Sequence, residues 1–120
     1  MIELKDFKQR YKKDYIQNKQ DGLEYVIDEK LKLAVSMGED NVIVSDRDLL
    51  RHRTSQGWQW LSSKEVETIL MNLKEKYEKG GYQVQVELNR QSEFPHRLLR
   101  FNILNLTETI ERVMEKKGLI

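Results

Sequence analysis

Residues 62–88 read SSKEVETILMNLKEKYEKGGYQVQVEL, and this stretch decides the fold. It opens with Ser62 and Glu65, the spacing at which two side chains reciprocally cap the free amide groups at the start of a helix. Apolar residues then recur every three or four positions up to the glycine pair at 80–81, which predicts an amphipathic helix. Through residues 82–88 apolar and polar side chains alternate, as expected of a strand with one buried face.

On the C-terminal side, a second strand and a last helix follow. Leu99, Phe101 and Ile103 alternate with polar residues, which predicts a strand that returns alongside the first as a hairpin. Residues 89–96, which contain the one proline of the chain, are predicted to form the hairpin loop. Asn105 and Glu108 show a second capping-box spacing at the start of the last predicted helix. The outward residues of both strands are polar, so we expect one face of the sheet to stay in water.

On the N-terminal side, residues 41–45 form a β-branched run that predicts a further strand. Before it, helical periodicity predicts two helices, 3–17 and 23–37, separated by a polar break. The first twenty residues carry six bases and three acids and the next twenty carry two bases and six acids. The two helices are therefore expected to pair as an antiparallel hairpin with complementary flanks.

The predicted order of elements is α-α-β-α-β-β-α. This indicates an α+β fold in a single domain, 1–120, with a helical pair over 1–38 and an α/β core over 41–118. The strand, helix, strand unit is a crossover that places the first two strands parallel, and the hairpin adds the third strand antiparallel. We therefore expect a small three-stranded mixed sheet packed with helices.

Composition excludes several classes of function. The 120 residues carry 21 Lys and Arg against 20 Asp and Glu, a net charge of +1, so total charge names no partner. Without cysteine there is no thiolate chemistry, and neither a signal peptide nor a membrane span is visible. No nucleotide-binding, acyl-transfer or metalloprotease motif is present. We expect a cytoplasmic protein that is not an enzyme, with no cofactor and no membrane partner.

Residues 64–104 resemble a unit found in short uncharacterised α/β proteins of bacteriophages that infect Gram-positive bacteria. The matching segment runs from KEVETILMNLKEKYEKGGYQVQVEL to RLLRFNIL. The shared features are a helix rich in Lys and Glu, a Gly-Tyr entry to an alternating strand, and a polar closing strand. The resemblance covers about a third of the chain and includes no catalytic motif. It implies a phage or mobile-element origin, and hence the host cell cytoplasm, but no particular activity.

Basic and aromatic residues supply the main candidate for binding. Aromatic rings stack on bases while arginines neutralise phosphates, so the segment 47–60 is a candidate nucleic-acid surface, aided by the basic N-terminal helix. Alternatively, Trp58 and Trp60 share one face of an extended segment and cover the core. The candidate residues for contact with a protein or a nucleic acid are Arg47, Arg51, His52, Arg53, Trp58, Trp60, Lys8 and Lys12.

Asp46 and Asp48 follow the first predicted strand and are weak candidates for binding a metal such as Mg²⁺. The simpler interpretation is that Ser45 or Asp46 caps a short helix, because acids favour its positive end.

Taken together, these features predict a non-enzymatic protein that engages a protein partner or associates with itself. The alternative is a nucleic-acid-binding module.

Overall fold

The chain folds into helices that cover one face of a three-stranded sheet. A computed structural model describes residues 11–51, 58–88 and 99–118, together with Glu3 and Asp6. Its elements in chain order are α1 (Lys12–Met37), β1 (Val42–Ser45), α2 (Asp46–Arg51), a 3-10 helix (Trp58–Trp60), α3 (Ser63–Lys79), β2 (Gln83–Leu88), β3 (Leu99–Leu104) and α4 (Leu106–Lys116).

Helix α3 begins as the sequence predicts. The Ser62 backbone N–H donates to Glu65 Oε1 over 2.8 Å, and the Glu65 N–H donates to Ser62 Oγ over 3.2 Å, which completes the capping box. The apolar face of α3 is buried through Tyr77, and the helix ends before Gly80. The capping box and the helical period therefore agree with the observed helix at both ends.

The sheet has the order β1-β3-β2, and each neighbouring pair is antiparallel. The α+β class is confirmed, but the sheet is antiparallel rather than mixed. Strands β1 and β2 do point the same way, as the crossover predicts, yet β3 lies between them. The physical reason is burial, because Leu99, Phe101 and Ile103 of β3 are fully buried and gain most from the central position.

Helix α1 runs without interruption from Lys12 to Met37, so the predicted helical pair over 1–38 is wrong for the described residues. Across the predicted break, Gln17 Nε2 donates to Asp21 Oδ1 over 2.9 Å. Glycine at position 22 costs the helix about 1 kcal/mol. Full burial of Leu23 and its neighbours contributes roughly 1.5–3 kcal/mol for each side chain and outweighs that cost.

Helices α1 and α3 lie side by side and run in the same direction. Lys12 Nζ is 2.9 Å from Glu65 Oε2 near the first turn of both helices. Further along, Asn72 Nδ2 donates to Gln20 Oε1 over 3.2 Å. Lys76 also pairs with Glu24, and the Tyr77 hydroxyl donates a hydrogen bond to Asp28. The predicted antiparallel pairing of a basic with an acidic helix is therefore wrong, and the observed pairing is a parallel one between α1 and α3.

Helix α4 is capped from another part of the chain. Asn105 has a φ of 54° and its side chain makes no capping bond, so the second predicted capping box is wrong. Instead, the Leu106 N–H donates to the Asp40 carbonyl over 2.7 Å and the Thr107 N–H donates to Asp40 Oδ1 over 3.1 Å. The loop between α1 and β1 therefore anchors the start of α4.

The hydrophobic core lies between the sheet and the two long helices and includes fully buried Trp58 and Phe101. On the opposite face of the sheet Gln83, Gln85 and Arg100 are exposed, as predicted. Asn102 is an exception at 9% exposure, because it occupies the middle of the central strand between Ile43 and Gln85.

Candidate binding surface

The two tryptophans of the candidate segment have opposite environments. Trp58 is fully buried, whereas Trp60 is 64% exposed. They lie in a 3-10 helix, in which three residues complete a turn, so side chains two positions apart point in different directions. The prediction that both tryptophans share one face is therefore wrong. Trp58 belongs to the core, and only Trp60 is available to a partner.

Trp60 stacks on an aromatic residue of α1. The ring centroids of Trp60 and Tyr15 are 5.9 Å apart and the ring planes make an angle of 21°. Lys19, one turn further along α1, places its Nζ 5.4 Å from the centroid of the Tyr15 ring. Tyr11, one turn before Tyr15, is 39% exposed. Residues three or four apart share a helix face, so these four residues form one patch, which we call the Trp60 surface.

The Trp60 surface is partly removed from water. Burial lowers the pKa of the Lys19 ammonium and raises the pKa of the Tyr15 hydroxyl. A cation held over an aromatic face in such a setting gains more from the ring than it would in bulk water. The patch therefore combines two stacked rings with a positive charge at one side.

Lys12 of the predicted basic helix is engaged in holding α1 to α3. Its ammonium forms the ion pair with Glu65, the residue that also caps α3. Burial acts to raise the pKa of Glu65, but hydrogen bonds from Ser62 and Lys12 outweigh it and leave the pKa below its usual value. The charge of Lys12 is thus largely neutralised within the protein.

The arginines of the candidate segment lie elsewhere. Arg47 and Arg51 are exposed and stand one turn apart on α2. Within the described part of the chain neither forms an ion pair. Lys8, His52 and Arg53, and the hairpin loop 89–96, lie outside the described residues. The geometry thus connects Trp60 with α1 rather than with α2.

Asp48 has a structural role, because its carboxylate is bonded to Lys30 and Ser45. It is 7% exposed, its Oδ1 is 2.9 Å from Lys30 Nζ, and its Oδ2 accepts a hydrogen bond of 2.8 Å from the Ser45 N–H. The Ser45 hydroxyl donates to the same oxygen over 3.2 Å, and Lys30 also donates to the Ile43 carbonyl over 2.8 Å. Burial acts to raise the pKa of Asp48, but these bonds from Lys30 and Ser45 prevail and lower it.

Both oxygens of Asp48 are therefore occupied by donors. The capping interpretation named Ser45 or Asp46 as the cap, whereas here the Asp48 side chain accepts the hydrogen bonds from Ser45 at the start of α2. Among the described residues no group of three histidine or acidic side chains is placed to hold a metal ion. Asp46 alone, half-buried at the first turn of α2, does not make a metal site.

Sequence reasoning missed the way the Trp60 surface is assembled. Tyr11, Tyr15 and Lys19 follow a helical spacing that was visible, but nothing local indicated that Trp60 would stack on them. The Lys30–Asp48 pair, 18 positions apart, has no sequence signal at all.

No helix within the described ranges is both long and apolar enough to cross a membrane. Comparison with protein-family models, with curated proteins and with solved structures finds no match to this chain.

Proposed function

We propose that the protein is a non-enzymatic intracellular binding protein that engages a protein partner through the Trp60 surface. The observation that carries this proposal is the exposed Trp60 ring stacked on Tyr15. Tryptophan and tyrosine are enriched among the few residues that contribute most of the binding energy at protein interfaces. Because the stack already fixes both rings, little side-chain freedom is lost when a partner binds.

The chemistry of the patch indicates what it would bind. The exposed Trp60 ring offers an apolar surface, and the Lys19 ammonium lies over the Tyr15 ring on which Trp60 stacks. A partner that presents an apolar side chain next to a carboxylate matches both features. A phage or mobile-element origin belongs to the same proposal and rests on the resemblance of residues 64–104 alone.

The exposure of Trp60 can be measured separately from binding. Trp58 and Trp60 are the two tryptophans of the chain, so Trp60→Phe leaves only the buried ring as a fluorophore. We expect its emission to shift to shorter wavelength and to resist quenching by acrylamide. An unchanged spectrum would show that Trp60 is covered, and the proposal would fail at its first step.

Binding is tested with a purified partner. Proteins captured by the immobilised chain are identified, purified and titrated calorimetrically against the wild type and Trp60→Ala. We expect the substitution to raise the Kd at least about tenfold, the effect of 1.4 kcal/mol at an interface anchor. Leu33→Ala is the matched control, since Leu33 is similarly exposed at 59% near the far end of α1 and should leave the Kd unchanged. Equal affinity of wild type and Trp60→Ala would refute the proposal.

Nucleic-acid binding is the second candidate, favoured by the two exposed arginines of α2. Arg47 and Arg51 have no acidic partner among the described residues, so their charge is available to a phosphate. Fluorescent single-stranded and double-stranded DNA and RNA are titrated at about 50 and 200 mM salt, where phosphate contacts lose affinity steeply. Arg47→Ala/Arg51→Ala should abolish such binding, whereas the exposed control Lys116→Ala/Lys117→Ala removes equal charge at the C-terminal end of α4 and should not. Absence of binding at both salt concentrations eliminates this candidate.

A further inference from the structure

The outer strands of the sheet are β1 and β2, and their free edges differ. In an antiparallel ladder successive residues direct their N–H and C=O groups to opposite sides. The Ile43 carbonyl accepts from Lys30 and the Ser45 N–H donates to Asp48, so these are the groups of β1 that face away from β3. Val42 and Val44 then bond to Ile103 and Phe101, their partners on β3.

The same alternation fixes the outward groups of β2. On β3, Phe101 and Ile103 direct their backbone groups towards β1, so Arg100 and Asn102 direct theirs towards β2. There they bond to Glu87 and Gln85. The intervening residues of β2 therefore direct their N–H and C=O groups away from the sheet. These residues are Val84, Val86 and Leu88.

The described residues close the edge of β1 but supply no partner to the edge of β2. At β1 the Lys30–Asp48 ion pair occupies both the Ile43 carbonyl and the Ser45 N–H, and buried charge at an edge is a known protection against added strands. At β2, no backbone or side-chain hydrogen bond from the described residues reaches the outward groups. A six-residue strand whose outer edge has no partner among the described residues is a template for another strand.

The residues of β2 are compatible with pairing to an identical strand. Its sequence, QVQVEL, alternates polar with apolar residues and contains neither proline nor glycine. Glu87 is its one charged residue. In an antiparallel pair centred on Val86, the Val84 of each copy faces Leu88 of the other on the core side of the sheet. On the opposite side, Glu87 faces Gln85 of the second copy, so no like charges meet. The half-buried side chains of Val84 and Val86 would become covered.

Helix α3 is compatible with the same two-fold axis. Val86 lies five residues beyond Gly81, or about 17 Å along a strand. The same distance along a helix takes about 11 residues. Counted back from Gly81 along α3, this places the two-fold axis through Val86 near Leu70. The flank of α3 that faces away from α1 carries Glu67, Met71 and Lys74. Two antiparallel copies of this flank bring Glu67 of each opposite Lys74 of the other, which pairs with Glu78 of its own chain over 3.3 Å, and cover Met71, which is 45% exposed.

From these features we propose that the protein forms a symmetric homodimer in which the β2 strands of two copies pair antiparallel about Val86. The two sheets then join into one continuous sheet of six strands. This interface lies apart from the Trp60 surface and does not depend on the proposed function.

The first test is the mass in solution. Light scattering coupled to size exclusion, over about a hundredfold range of protein concentration, should give twice the 14.4 kDa chain mass at the upper end. Val86→Pro removes the outward N–H without disturbing an internal hydrogen bond, and proline is tolerated at such edge positions. We expect this variant to be monomeric at every concentration. Val86→Ala removes about as much side-chain packing as Val86→Pro but keeps the backbone N–H, so this variant should remain dimeric.

Trp60→Ala should leave the dimer intact, which separates this proposal from the Trp60 surface. A monomeric wild type, a dimeric Val86→Pro, or a dimer abolished by Trp60→Ala would each overturn the proposal.

A second test avoids any variant that fails to fold. The natural chain has no cysteine, so Gln85→Cys and Glu87→Cys introduce single thiols. Mixed under mild oxidation, the two variants should form a disulfide-linked pair much faster than either variant alone, because residue 85 faces residue 87 of the second copy at a distance that suits a disulfide. Tyr25→Cys, on the exposed side of α1, is the control for random collision. Cross-linking no faster than this control would overturn the proposal.

Discussion

Separating Lys30 from Asp48 should destabilise the protein. The pair connects α1 to β1 and α2, and Asp48 also accepts two hydrogen bonds from Ser45. Loss of a helix cap costs about 1 kcal/mol, and loss of a hydrogen bond to a charged group about 1.5–3 kcal/mol. Because the Lys30 side chain is 32% exposed, water compensates part of the lost charge interaction. We therefore expect Asp48→Ala to lower the free energy of unfolding by about 2–3 kcal/mol.

A double-mutant cycle isolates the pair itself. Urea unfolding of the wild type, Lys30→Met, Asp48→Asn and the double variant, followed by circular dichroism, should give a coupling energy of at least about 1 kcal/mol. The matched control is Lys32 with Glu29, an exposed ion pair on the same helix at 3.2 Å, whose coupling should stay near 0.3–0.5 kcal/mol, about the value for helix-surface pairs. Equal coupling in the two cycles would refute the view that burial makes the Lys30–Asp48 pair the stronger one.

Three further predictions concern the cap of α3 and the dependence of stability on pH. Ser62→Ala should lower the unfolding free energy by about 1 kcal/mol, measured by urea denaturation, and Ser62→Asp should restore most of the loss. The pKa values of Asp48 and Glu65 are lowered in the folded state, so their stabilisation is present above the unfolded pKa values near 4 and is lost as the pH falls through the lower folded values. The urea midpoint should therefore drop on acidification, and less so in Asp48→Asn. Burial and the hydrogen bond to Asp28 raise the pKa of Tyr77, so stability is retained below the unfolded pKa of about 10 and falls as the pH rises above it. Tyr77→Phe should remove that alkaline loss; a midpoint in Tyr77→Phe as sensitive to high pH as in the wild type would assign the effect to another group.

The elements that the sequence predicts correctly have strong local causes. Helix α3 has a capping box, a regular apolar period and a glycine at its end, all within residues 62–80. Strand β3 follows from the alternation of Leu99, Phe101 and Ile103, whose side chains are all buried as expected. In both cases the information that selects the conformation lies within a few residues, so reading it requires no knowledge of distant contacts.

The helix break at 17–22 shows where local information is misleading. Glycine and polar residues normally interrupt helices, and here they do not, because apolar residues on either side pack against the rest of the protein. Burial of Leu23, Val26 and Ile27 depends on surfaces supplied by other parts of the chain. The cap of α4 is a similar case, since it comes from Asp40 rather than from the adjacent Asn105.

The candidate surface was only partly predictable. Trp60 was singled out from the sequence together with Trp58, but separating them required the 3-10 helix that turns one ring inward and the other outward. Stacking of Trp60 on Tyr15 joins segments 45 positions apart, and no local pattern encodes such a contact.

By itself, the sequence determined the α+β class, the position and amphipathic character of α3, β2 and β3, and the residues of these three elements that face the core. These features depend on periodicity and on caps, which act over a few residues. The tertiary structure alone decided that β3 lies between β1 and β2, that α1 is continuous, and that Lys30 and Asp48 close the edge of β1 while no described residue pairs with the outer edge of β2. The physical reason is that strand order, helix continuity and ion pairing depend on which apolar and charged groups meet after the chain collapses, and those partners lie far apart along it.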